Sequence, residues 1–159
     1  MTEGLAQFHE SMDTLQQMQS GDAQALRLAH LATVYRLTGQ PDTGLQVLAA
    51  AMAADTEERL DVAGRACLQG ELLVLRPCPD TQQAERCLQH VLALARHQQA
   101  KSLELRAALS LSRLWQRQGK RDPARRLLAP LYGWFTEGFD TADLQEAKAL
   151  LDTLAEGVA

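Results

Sequence analysis

A repeat near forty residues constrains this chain more than any other feature. Gly4, Gly44, Ala84 and Ala124 fall in one column at a constant offset of forty. Phe8, Leu48, Leu88 and Leu128 form a second column four residues later, and Met12, Met52, Leu92 and Tyr132 form a third. Positions four apart share one face of an α-helix, so the columns describe the same helix occurring four times, each copy packing a small residue and then a large one. A period of this length marks stacked supersecondary units, none of which can bury its apolar face alone.

Amphipathic segments occupy the intervals: Ala25 to Leu37, Leu60 to Leu75 and Ser102 to Gln118. Each places apolar residues at helical spacing and supplies the alternate helix of a pair. Gly39-Gln40-Pro41-Asp42 and Gly119-Lys120-Arg121-Asp122-Pro123 end one helix with glycine and open the next near proline. Arg76-Pro77-Cys78-Pro79-Asp80 is a longer linker built on two prolines. After Gly138-Phe139-Asp140-Thr141, with Asp140 or Thr141 as N-cap, a last helix carries Leu144, Ala147, Leu151 and Leu154 on one side. No stretch sustains period-two alternation, and aromatic residues make up only 4%. The expected fold is therefore all-α: about seven helices, give or take one, in antiparallel hairpins, ending in a capping helix over 140–156.

At 159 residues, with 46% hydrophobic and 23% charged, the chain can bury a core without disulfides or metals and is expected to form a single domain over 1–159. No window approaches the roughly 18 apolar residues that a membrane helix needs, and residues 1–20 lack the plan of a signal peptide. Cys67, Cys78 and Cys87 form an odd set without CxxC spacing, which suits reduced thiols and a cytoplasmic protein. The formal net charge of −4 is uneven: Arg96 to Arg126 holds nine lysines and arginines against Glu104 and Asp122. Such a block is either a solvated helix face or an attractant for acidic partners or nucleic acid.

Signatures of catalysis are missing. There is no GxxxxGK[ST] phosphate cradle, no GxGxxG, no HExxH and no GxSxG, so a catalytic role in this chain is not expected, and no cofactor is implied. A weak metal candidate pairs Cys87 with His90 at i, i+3, with His97 and Cys78 nearby in sequence, but it lacks the second ligand pair of structural zinc sites. The competing reading is a core thiol with surface histidines. Glu71, in an otherwise apolar segment, either faces a groove or is an ordinary exposed glutamate. Tyr35 and Trp115 are read as core residues, and Trp134 and Phe135 as packed under the last helix, with an exposed anchor for a partner as the alternative.

Two sets of residues carry a family resemblance. Leu28, Leu31, Ala32, Tyr35, Gly39, Gly44, Leu48 and Ala51, and again Leu111, Ser112, Trp115, Gly119, Ala124 and Leu128, resemble the tetratricopeptide pattern. The block LAPLYGWFTEGFDTADLQEAKALL, Leu128 to Leu151, looks like the C-terminal tetratricopeptide tail of bacterial signalling proteins that join a cyclase or kinase domain to a predicted ATPase. The resemblance implies a right-handed solenoid with repeats over 24–55, 58–98 and 102–136, and a non-catalytic scaffold or sensor arm of a bacterial signalling system, binding a protein or peptide.

Family geometry further implies that the first helix of each pair lines a concave groove, which points to Arg36, Glu71, Arg106, Leu109, Arg113, Gln116 and Arg117 as contact residues. The clamp that some members use for a C-terminal carboxylate is not matched, since Ala29 and Thr33 stand at its positions. Residues 2–20 read as the second helix of a pair whose first helix is missing, which would leave Leu5, Phe8, Met12 and Leu15 as uncovered apolar surface; the expected explanation is a shortened family member or fragment, with a split gene or self-association into a homo-oligomer through these residues as the alternatives. The alternative functions are that self-association and binding of nucleic acid or an acidic partner through 96–126. Overall acidity and few aromatics argue against nucleic acid.

Overall fold

Three turns set the geometry of the chain. At Thr38-Gly39-Gln40, Gln98-Gln99-Ala100 and Gln118-Gly119-Lys120 the middle residue adopts positive φ, at 71°, 58° and 76°. The amide after it reaches back to the fifth residue upstream: Gln40 to the Tyr35 carbonyl at 2.9 Å, Ala100 to Ala95 at 2.9 Å and Lys120 to Trp115 at 2.8 Å. These bonds satisfy carbonyls that a helix end would leave bare, and they reverse the chain within three residues.

The computed structural model describes residues 21–54, 62–76 and 80–156. Seven helices lie among them: α1 (Gly21–Leu37), α2 (Pro41–Ala54), α3 (Val62–Leu75), α4 (Thr81–His97), α5 (Lys101–Arg117), α6 (Arg121–Tyr132) and α7 (Ala142–Ala155). No strand occurs among the described residues, so the fold is all-α. None of these helices is long and apolar enough to cross a membrane. The candidate self-association residues Leu5, Phe8, Met12 and Leu15, and also Cys78, lie outside the described residues.

The chain divides into two compact units, Met1–Val62 and Ala63–Ala159. In the first, α1 packs on α2 through Ala25, Leu31 and Ala32 against Leu48 and Ala51, all buried. Gly44 is buried too. Met52, from the third sequence column, is 51% exposed. Its column is buried at Leu92 and half-buried at Tyr132.

In the second unit α5 is central and packs against α4, α6 and α7. Ala107 to Ser112 are buried without interruption, so the helix is covered round its circumference over that stretch, Ser110 and Ser112 included. Helix α4 starts at Asp80, whose side chain accepts the Gln83 amide at 2.9 Å, and packs on α3 where Gly70 meets Leu88. Ser112 Oγ donates to the Ala124 carbonyl at 3.2 Å, joining α5 to α6. The small and large columns hold their place, with Ala84, Ala124, Leu88 and Leu128 all fully buried.

Helix α7 closes the unit with Leu144, Ala147, Leu150 and Leu154. Leu150 therefore takes the place expected for Leu151, which is half-buried. Adjacent residues differ by about 100° around a helix, and the packed stripe runs 3, 3, 4 instead of 3, 4, 3. Thr141 is the N-cap, yet its hydroxyl donates back to the Gly138 carbonyl at 2.7 Å and leaves the α7 amides alone.

Candidate functional site

Arg106, Leu109, Arg113, Gln116 and Arg117 recur at three- and four-residue steps along α5 and so share a flank of that helix. The structure gives them different roles. Arg106 Nη2 lies 3.6 Å from Glu71 Oε1 on α3, while its Nε lies 4.0 Å from Asp143 Oδ2 on α7. Arg113 Nη2 donates to Glu146 Oε2 on α7 at 2.6 Å. Arg117 Nη1 donates to the Val74 carbonyl at 2.9 Å and so caps the C-terminal turn of α3, where bare carbonyls and the helix dipole favour a cation.

These three arginines make α3, α5 and α7 lateral neighbours. The face they form is close to charge-balanced, three guanidinium groups against Glu71, Asp143 and Glu146. The acids of α7 sit in its first two turns, near the positive end of its dipole. Leu109, between Arg106 and Arg113, is only 3% exposed and belongs to the core, not to a contact surface. Gln116 is half-buried, and Arg36 is half-buried on α1, in the other unit.

Glu71 is not an ordinary exposed glutamate. Its side chain is largely covered, faces Arg106 and accepts the thiol of Cys67 at 3.7 Å. Burial first, and then the negative charge of Glu71, push the Cys67 thiol well above the usual cysteine range. Burial raises Cys87 as well, and its thiol donates to the Ala66 carbonyl at 3.3 Å. Both are protonated at neutral pH and poorly suited to metal or to nucleophilic work. His90 and His97 are exposed, and no group of three or more His, Cys, Asp or Glu that could hold a metal occurs among the described residues.

Glu104 was visible in the sequence only as one of two acids in a basic stretch. It is 3% exposed and held by Arg96 Nε at 2.8 Å and Lys101 Nζ at 2.7 Å. Burial opposes its charge, but hydrogen bonds from Lys101 and Arg96 outweigh that cost and leave its carboxyl below the ordinary value. Lys101 three residues before it was the available signal.

The aromatic residues depart from expectation. Trp115 is half-buried, and its indole N–H donates to Glu85 Oε1 at 2.9 Å; Tyr35 is also half-buried. Trp134 does not pack under α7. It is 58% exposed, meets Phe135 edge to face at 5.1 Å between centroids, and carries Lys101 Nζ at 5.7 Å from its ring centroid. The loop bends because Gly138, at φ 76°, turns the chain so that Phe139 reaches Tyr132 at 5.7 Å. No family model, curated protein or solved structure matches the chain.

Chemically, this face offers partly exposed ion pairs on a helical frame. It presents charges of both signs, partly open to solvent.

Proposed function

We propose that the chain is a non-catalytic protein-interaction module of tetratricopeptide-like organisation that receives a protein or peptide on the face made by α3, α5 and α7. The observation that carries this reading is the pair of ion contacts Arg106–Asp143 and Arg113–Glu146, in which all four side chains keep substantial exposure. Exposed ion pairs contribute little to stability, about 0–1 kcal/mol, so a ligand carboxylate or amine can displace one member at small cost. Their backbones are fixed by packed helices, which limits the ordering cost of binding. The resemblance of Leu128 to Leu151 to signalling-protein tails supports a scaffold or sensor role in a bacterial signalling system.

The test begins with affinity capture from native cells under nuclease and moderate salt, followed by the charge swap Arg113→Glu with Glu146→Arg. The swap keeps the intramolecular pair while inverting the surface charge at both positions. A discrete protein partner whose affinity drops about tenfold or more is the expected result. A partner held equally well by the swapped chain would refute this face as the site.

A further inference from the structure

The basic stretch 96–126 holds nine cations, and the fold uses most of them. Arg96 and Lys101 hold Glu104, and Lys120 lies 3.8 Å from Glu85. Arg106, Arg113 and Arg117 bridge to α3 and α7, as described. Arg121 donates to the Thr153 carbonyl near the end of α7. Arg125 and Arg126 remain: both are exposed, and neither has a hydrogen bond or ion pair with the described residues.

Their setting is shaped. With Asp122, Ala129 and Pro130 they line a shallow depression of about 370 Å³ on α6. It opens away from α5, because Ala124 and Leu128, which face the core, are fully buried. Ala129 leaves room beside the guanidinium groups. Pro130 has no N–H, so the Arg126 carbonyl lacks the donor normally supplied four residues on. Asp122 stands three and four residues before the two arginines, a favourable spacing for a helical ion pair, yet makes none.

We infer that this outer face of α6 docks an acidic peptide segment of a partner protein, with carboxylates on Arg125 and Arg126 and a small or apolar side chain on Ala129 and Pro130. Guanidinium groups suit this because they bind carboxylates through two parallel N–H bonds. Charge complementarity favours a peptide over nucleic acid. A phosphate backbone needs a run of accessible cations, whereas seven of the nine in this stretch are engaged within the fold and only Arg125 and Arg126 stay exposed without a partner among the described residues. The site is separate from the α3–α5–α7 face and stands or falls independently of it.

The experiment titrates the isotope-labelled chain with an end-capped peptide of Glu-Ala-Ala-Glu repeats, with its Gln counterpart, and with a single-stranded DNA oligonucleotide of similar length, all at near-physiological salt. Binding of the Glu peptide should perturb the amides of Arg125, Arg126 and Ala129, and Arg125→Gln with Arg126→Gln should weaken it about tenfold. The Arg113→Glu, Glu146→Arg swap should leave it unchanged. The proposal is overturned by perturbation centred on Arg106 and Arg113, by equal response to the Gln peptide, by DNA binding tighter than the Glu peptide, or by no response to the Glu peptide at all.

Discussion

Gly70 on α3 lies so close to Leu88 on α4 that a Cβ placed on it would stand 2.6 Å from Leu88 Cδ2 and 2.7 Å from Leu88 Cγ. Leu88 is fully buried and cannot swing aside, so the helix crossing depends on the missing methyl. Alanine at position 70 would gain about 1 kcal/mol of helix propensity. Overpacking costs about 1–3 kcal/mol and should dominate. Gly70→Ala is expected to lower unfolding stability by about 1 kcal/mol in denaturant titrations. Adding Leu88→Ala should cost less in that background than in the native chain, because the overlap is then relieved.

Gln99 holds φ at 58°, a conformation that costs a side chain bearing Cβ about 1–2 kcal/mol. The equivalent turns use glycine at 39 and 119. Gln99→Gly should therefore stabilise the chain by about 0.5–1 kcal/mol, after allowance for the greater freedom of the unfolded glycine. Gly119→Ala should do the reverse by a similar amount. Thermal unfolding of the two variants beside the native chain checks the opposite signs.

The depressed carboxyl of Glu104 sets a pH dependence. A group whose folded pKa lies below its unfolded value of 4.5 contributes stability that is complete above the unfolded value and disappears as pH falls through the folded one. Stability measured in denaturant from pH 7 downward should thus fall across the carboxylate range. Glu104→Gln should flatten that acid limb and lower stability at neutral pH, while Arg96 and Lys101 turn to solvent.

Burial and the neighbouring Glu71 keep Cys67 protonated, and the thiolate is the reactive form. Under native conditions at neutral pH Cys67 should resist iodoacetamide, and it should be alkylated at an ordinary rate once the chain is unfolded. Glu71→Gln should speed the native reaction modestly, since the second cause of the raised thiol is removed. Peptide mapping by mass spectrometry separates Cys67 from Cys78 and Cys87.

The sequence revealed the helices because their spacing is local. Ala84 and Leu88, or Ala124 and Leu128, belong to one turn each, and Gly39 and Gly119 announce their turns by the only residue that adopts positive φ freely. The turn at Gln99 gave no such notice, since its residue pays for the conformation instead of favouring it. The α5 arginines were legible as one helical flank. Their partners were not, because Glu146 lies 33 positions beyond Arg113 and Val74 lies 43 before Arg117, far outside any helical period. Which cations stay available is decided by those distant contacts, and so Arg125 and Arg126 could not be told apart from their neighbours by charge alone.

Arg106 is shared between Glu71 and Asp143, acids on helices to either side of its own. A cation held in common gives each neighbour one contact, and neither contact is close. An anion that captured Arg106 would take that contact from both flanks in one event. The helix that carries Asp143 and the wall that carries Cys67 thus answer to one guanidinium, and a substitution at position 106 removes a contact from each.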